Sequence, residues 1–224
     1  TIRPSRRRFA ARLNSGVRVH MARVSTSDFW LMYSTLREDV DTYWQPIHDT
    51  ENRTYLYPDP VVLSQPARRA VVRAVFAFAE ASSFLLRQLL LSDFEERLEV
   101  EVVMALKELQ ISLANSGQVR KTTLRAGALP YIRLTFTAYS QLFPNANTPN
   151  CSGPAFEALA ASVVVRDRLM HPKEAAALAV SDDEIRSLLQ GFCWLNESMR
   201  VVLRVHVDEL RRATLSTKGD VQEP

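Results

Sequence analysis

The eight residues that begin at Arg166 place an arginine, a carboxylate and a histidine at the end of an apolar run. The run itself, residues 155–165, predicts a mostly buried helix. Pro172 predicts where that helix ends, because proline has no N–H and disfavours helical backbone in the residue before it. His171 is therefore expected at a helix C-terminus. Asp167 lies four residues before it on the same helix face, so its carboxylate can orient one imidazole nitrogen while the other stays free for chemistry.

This motif has the form of an arginine, a polar residue, three further residues and a histidine, and it resembles the signature of the HEPN superfamily. That family consists of small all-helical dimers and includes many metal-independent endoribonucleases. A long helix rich in Ala, Phe and Leu that contains Glu80 (residues 70–91) precedes the motif, and an amphipathic helix (residues 182–212) follows it. Both helices, and the ending Leu-Met-His-Pro, extend the resemblance beyond the motif.

The resemblance implies a chemistry as well as a fold. RNA cleavage without a metal needs a group that takes the 2′-hydroxyl proton, a group that protonates the leaving 5′-oxygen, and positive charge that stabilises the phosphorane. The resemblance makes His171 the general base or acid, Arg166 the phosphate clamp and Asp167 the residue that orients the histidine. A two-fold symmetric homodimer would bring two motifs to one cleft. Products would carry a 2′,3′-cyclic phosphate and a 5′-hydroxyl.

The same resemblance suggests the biological setting. It implies RNA as the substrate, no cofactor and no metal, and a role in toxin–antitoxin systems, phage defence or stress. An antitoxin or a nucleotidyltransferase-type protein is the implied partner.

A purely structural role for the motif is the alternative. An Arg-Asp-Arg cluster at a helix end can be a solvated ion-pair surface, and a histidine before proline can cap the last carbonyls. Arg168 is expected to be solvated or bonded to backbone rather than catalytic. On this interpretation the protein is a catalytically inactive helical dimer that binds a partner protein or a nucleotide.

Charge is distributed unevenly along the chain. Seven of the 28 basic residues lie before Val24 with no acid among them, and the remaining chain has 21 basic and 25 acidic residues, a net charge of −4. Residues 1–23 are expected to be a basic extension outside the folded domain. A targeting peptide or an RNA-contacting arm are the functional alternatives for this segment. An acidic body is a poor host for RNA unless positive charge is concentrated locally, which favours the inactive alternative.

Composition indicates a single soluble domain. A chain of 224 residues can bury one core, and 6 glycines argue against a turn-rich all-β fold. Glu80 and Arg87 interrupt the longest apolar stretch, so no membrane span is expected. Two cysteines make no disulfide framework, which indicates a reduced, cytoplasmic compartment. No glycine-rich phosphate loop is present, so a nucleotide hydrolase or dehydrogenase has no support.

Hydrophobic periodicity predicts an all-α antiparallel bundle of about six helices over residues 24–214, with a disordered tail at 215–224. Residues 45–62 are predicted to form an ordered loop packed by its tyrosines. A capping box at Ser92–Glu95 predicts a third helix that runs to Leu113 and pairs with the second as an antiparallel hairpin. The other predicted helices begin near Ser27, Pro66, Pro130 and Ala155, and a second capping box at Ser181–Glu184 predicts the start of the last helix at Asp182.

Two further polar residues stand out in apolar surroundings. Glu80 is expected to be buried with a partner or to lie at the helix edge, with a dimer-facing or site-facing role as the alternative. His206 is expected at an interface or at the edge of the core rather than as a ligand.

Overall fold

A computed structural model of the chain describes residues 24–45, 47–49, 54–56 and 58–219, and this part is mostly helical. It contains six α-helices and two antiparallel β-hairpins. The helices are α1 Thr26–Asp41, α2 Gln65–Phe94, α3 Val100–Leu106, α4 Ala128–Leu142, α5 Pro154–Met170 and α6 Asp182–Gly219. The strands are β1 Ile47–Asp49, β2 Thr54–Leu56, β3 Leu109–Leu113 and β4 Val119–Thr123. The predicted helical bundle is confirmed, with strands that the sequence analysis did not predict.

Two of the helices begin with reciprocal side-chain caps. At α1, Ser25 Oγ accepts from the Asp28 N–H (3.1 Å) and Asp28 accepts from the Ser25 N–H (2.9 Å), so the cap precedes the predicted Ser27. At α6, Glu184 accepts from the Ser181 N–H at 2.9 Å and the Glu184 N–H donates to Ser181 Oγ at 3.2 Å. The predicted capping box of the last helix is confirmed.

The predicted third helix is wrong. Ser92 lies inside α2, which continues to Phe94, and the helix that follows a short 3-10 turn (Glu95–Arg97) has only seven residues. Residues 109–113 instead pair with 119–123, and Gly117 (φ 77°) lies in the connecting turn. The misreading has a physical cause: Leu106, Leu109 and Leu113 have helical spacing, but Leu109, Ile111 and Leu113 also alternate as in a strand.

The predicted loop at 45–62 contains a second hairpin. Ile47 pairs with Leu56 and Asp49 with Thr54, and a 3-10 turn at Pro60–Val62 precedes α2. The tyrosines that were predicted to pack this loop lie outside the part whose side chains are described. Residues 1–23 and 220–224 also lie outside the described part of the chain. The disordered tail predicted at 215–224 overlaps α6, which includes residues 215–219.

The core is arranged around α2, which packs on α1, α4, α5 and α6. By length and composition, the segment Gln65–Arg97 could also cross a membrane, but 72% of its most apolar window is buried within the fold, as in the core helix of a soluble protein. α5 and α6 are in close contact at Gly191, where an added Cβ would lie 2.7 Å from the Leu159 backbone. Glycine at this position lets the two helices come into backbone contact, and this contact fixes the position of α5 along the axis of α6.

A buried polar chain joins α2, α4 and α6. The Tyr139 hydroxyl lies 2.9 Å from His206 Nδ1, and His206 Nε2 lies 2.9 Å from Asp93 Oδ2. His206 is fully buried, not at the edge of the core as predicted. Burial lowers the pKa of His206, and the Asp93 carboxylate offsets this lowering only in part. A neutral imidazole fits both contacts, since Tyr139 can donate to Nδ1 and the Nε2–H can donate to Asp93.

Stability should therefore fall in mild acid through His206. Because its folded pKa is lowered, its stabilising contribution is complete above about pH 6.5, the ordinary histidine pKa, and is lost as the pH falls below that value. Urea unfolding at pH 7.5 and pH 5.5 measures the loss. The His206→Gln variant should be about 1–3 kcal/mol less stable at pH 7.5, since a buried partner is left unpaired, and should lose less on acidification. An equal loss in both proteins would exclude His206 as the cause.

Candidate functional site

The predicted site residues lie at the C-terminal end of α5. The helix ends at Met170, and His171 follows with φ −131° and its N–H bonded to the Asp167 carbonyl at 3.0 Å. The expected position of the histidine at a helix C-terminus is confirmed. Its side chain is exposed.

The chain after the motif is held by α2. The Arg68 guanidinium, only 7% exposed, donates to the carbonyls of Val61 (2.7 Å), Leu63 (2.9 Å) and Val180 (2.9 Å). The Gln65 side-chain amide makes two hydrogen bonds to the Val180 backbone, at 2.8 and 2.9 Å. These contacts fix the segment that links α5 to α6, and with it the end of the motif helix.

Arg168 belongs to the same structural support. It donates to the Ala179 carbonyl (2.7 Å) and to Glu184 Oε2 (3.0 Å). Burial works to raise the pKa of Glu184, but hydrogen bonds from Arg168 and from the Ser181 N–H keep that pKa below its ordinary value. Arg168 is backbone-bonded, as expected, and it anchors α5 to the start of α6.

Arg166 is paired with two carboxylates. Its Nη2 lies 2.5 Å from Glu80 Oε1 on α2, and its Nη1 lies 3.2 Å from Asp167 Oδ1. The guanidinium carbon lies 5.8 Å from the centre of the buried Phe76 ring. Glu80 is thus partnered, and its partner is the motif arginine. The side chains of Arg166 and Glu80 are 35% and 46% exposed, so incoming polar groups can reach the pair.

The structure brings Arg166, Asp167 and Glu80 together, whereas the His171 imidazole makes no hydrogen bond to another described residue. Within the part of the chain that is described, no hydrogen bond joins Asp167 to the His171 ring; the carboxylate bonds Arg166 instead. In this single chain, Asp167 therefore does not make the hydrogen bond that was expected to orient the imidazole.

A cavity of about 320 Å³ adjoins the motif arginine. Ser83 and Arg87 of α2 line it together with Glu80, Arg166, Glu108 and Tyr131. In the sequence, Glu80 and Arg87 stand out only as interruptions of an apolar stretch. Their spacing with Ser83, at three and four residues, was a signal of one polar stripe.

Neither a cluster of metal ligands nor a thiol with a lowered pKa is found among the described residues. Among the described residues, no cluster of three His, Cys, Asp or Glu side chains is placed to hold a metal ion. Burial raises the pKa of the Cys151 thiol to about 11 and also raises that of Cys193, so both remain thiols at neutral pH.

Comparison of the chain with protein-family models, with curated proteins and with solved structures found no match.

The Arg166–Glu80 pair should add little to stability, because half-exposed ion pairs contribute about 1 kcal/mol or less. A double-mutant cycle with Arg166→Gln and Glu80→Gln, followed by urea unfolding, measures the coupling. We expect a coupling below about 1 kcal/mol. A coupling well above that value would mean that the pair is a structural link and is not available for ligand binding.

Proposed function

We propose that this protein is a HEPN-like, metal-independent endoribonuclease that acts in the cytoplasm as a homodimer, in a toxin–antitoxin or phage-defence role. One observation carries the proposal: the motif arginine and an exposed imidazole, which bonds none of the described residues, lie at the end of one helix. The resemblance of the sequence around Arg166, Asp167 and His171 to the HEPN signature supports the same function.

The proposed reaction needs two imidazoles in different protonation states. A neutral His171 takes the proton of the ribose 2′-hydroxyl, whose oxygen attacks the adjacent phosphorus. The bond from phosphorus to the 5′-oxygen then breaks, and the protonated His171 of the second subunit gives that oxygen a proton. The 2′,3′-cyclic phosphate and the 5′-hydroxyl leave, and the number of protons is conserved. Arg166 stabilises the charge that builds on the phosphorane.

Apolar side chains around the motif support the proposed dimer. Phe84 and Met170 are 43% and 53% exposed, although each is large and apolar. Phe84 lies one helical turn from Glu80, and Met170 lies one turn from Arg166. Exposed apolar side chains close to a charged site are typical of surfaces that bind another protein.

A catalytically inactive helical dimer is the second candidate. The observation that favours it is the pairing of Arg166 with Glu80 and Asp167, because a guanidinium with two carboxylates already carries its counter-charges. In that case the motif would serve as an ion-pair network at a partner surface. The two candidates differ in whether the His171 imidazole is needed.

The wild-type protein should cleave single-stranded RNA in the presence of EDTA. His171→Ala should lower the rate at least about 100-fold, since general acid–base catalysis contributes about 10²–10⁴-fold. Glu174→Ala changes an exposed residue three positions away and is the matched control. Gel analysis of a labelled RNA follows the rate. Equal rates for His171→Ala and the control would remove His171 from the mechanism.

If the two motifs share one cleft, mixed subunits should behave in a characteristic way. Wild-type and His171→Ala proteins are unfolded together and refolded to form heterodimers. Heterodimers keep one intact motif and should not exceed the activity expected of a single-histidine cleft. A tandem fusion of one wild-type and one His171→Ala chain gives the same reading: half the wild-type rate indicates two independent sites, and a near-complete loss indicates one composite site.

A further inference from the structure

We propose that the cavity beside Arg166 binds a guanine base of the RNA, next to the phosphate that is cleaved. This inference depends on the proposed ribonuclease function for its biological meaning. The choice of guanine as the ligand follows from the residues that line the cavity. With a volume of about 320 Å³, the cavity lies at the lower end of ordinary ligand sites, which suits one ring system and not a folded RNA element.

The charges of the cavity balance. Arg87 Nη2 lies 2.9 Å from Glu108 Oε1, and Arg166 pairs with Glu80. Two guanidiniums and two carboxylates therefore leave no net charge. A phosphate inside the cavity would have to displace these carboxylates from their guanidiniums. An uncharged ligand rich in hydrogen-bond donors and acceptors can be bound there without displacing either carboxylate.

Hydrogen-bonding groups without partners line the cavity. Ser83 is only 2% exposed, and its hydroxyl has no hydrogen-bond partner among the described residues; the Nε of the buried Arg87 also has none. α4 begins at the same cavity: its N-cap, Gly127, supplies no side-chain cap. Buried donors without partners cost free energy. A carbonyl oxygen of a ligand would satisfy them.

Glu108 is held in an unusual backbone conformation. Its φ of 57° is positive, the one such value for a non-glycine residue in the described part of the chain. Glycine or asparagine would be the ordinary choice in this conformation. A glutamate there is consistent with a need for its carboxylate, because strained residues concentrate at functional sites. Its partner Arg87 stacks at 4.1 Å on the Tyr131 ring, which fixes the pair.

Guanine is the base that matches this arrangement. A carboxylate accepts two parallel N–H bonds best from neighbouring donors, and among the four RNA bases only guanine offers two, at N1 and N2, beside a carbonyl oxygen. Adenine and cytosine present one amino group next to a lone pair, and uracil presents one N–H between two carbonyls. In this assignment the Glu108 carboxylate accepts hydrogen bonds from N1–H and N2–H of guanine. The O6 atom accepts from the Ser83 hydroxyl and from the first backbone N–H groups of α4. Splayed-out single-stranded bases are recognised by such edge contacts.

Arg166 connects the two sites. It lines the cavity and belongs to the motif, five residues or about 7.5 Å of helix rise from His171. A nucleotide with its base in the cavity therefore has its phosphate near the catalytic groups. Arg166 can then exchange Glu80 for that phosphate.

The test is calorimetric titration of the full chain, in EDTA, with uncleavable 2′-O-methyl trinucleotides that carry G, A, C or U at the centre. We expect the G trinucleotide to bind at least about 10-fold more tightly than the other three. Ser83→Ala should weaken it about 3–10-fold. Glu108→Gln should reduce the preference for G, because an amide cannot accept both N–H bonds. Glu174→Ala, at an exposed position outside the cavity, should keep the preference for G.

Unfolding measurements separate this role from a structural one. If Ser83 serves the ligand, Ser83→Ala removes an unpaired buried hydroxyl and should leave the melting temperature unchanged or higher. A lower melting temperature with unchanged binding of the G trinucleotide would overturn the proposal. Equal binding of all four trinucleotides would also overturn it. Tight binding of GTP without a preference for the G trinucleotide would overturn the assignment to RNA.

The two proposals fail in different ways. If RNA is not cleaved but the preference for G depends on Ser83 and Glu108, the cavity assignment stands and the ribonuclease function fails. If RNA is cleaved with no base preference, the cavity assignment fails alone.

Discussion

One buried guanidinium holds the backbone on which the candidate site is built. Arg68 of α2 donates to three carbonyls, one of which belongs to the segment between α5 and α6, and it also pairs with Asp182 at 2.7 Å. A buried charge is stable only when its donors are all satisfied, so the backbone around it has little freedom. The position of His171 at the end of α5 follows from this arrangement and from the tight contact of α5 with α6 at Gly191.

α2 contributes to the site as well as to the core. Most of its buried side chains are apolar, yet one face carries Glu80, Ser83 and Arg87, at helical spacing. Glu80 holds the motif arginine, and the other two line the cavity beside it. A helix that is central to the core offers a rigid base for polar groups, which is what base recognition and phosphate positioning require. The half-exposed ion pair between Arg166 and Glu80 is weak enough for Arg166 to release the carboxylate and bind a phosphate instead.

The sequence allowed much of the fold to be predicted. The helix that carries the motif, its end before Pro172 and the capping box at Ser181 all depend on local chemistry, and all agree with the structure. The hairpin at 109–123 was missed because the same leucines satisfy helical and strand spacing, and tertiary contacts decide between them. His206 was placed at the core edge because its partner Asp93 lies 113 residues away in the sequence.

The candidate site was predictable only in part. Arg166, Asp167 and His171 could be found from their types and spacing. The cavity could not, because Glu108 and α4 reach α2 only through the fold, and the unpaired Ser83 hydroxyl has no signature in a sequence. The expected contact between Asp167 and His171 is replaced by one to Arg166, which also pairs with Glu80.

Mass spectrometry of the ends of cleaved RNA tests the central claim most directly. Wild-type protein incubated with RNA in EDTA should yield 2′,3′-cyclic phosphate and 5′-hydroxyl ends, since the attacking group is the 2′-oxygen. Products with 5′-phosphate ends, or intact RNA under the same conditions, would contradict the account.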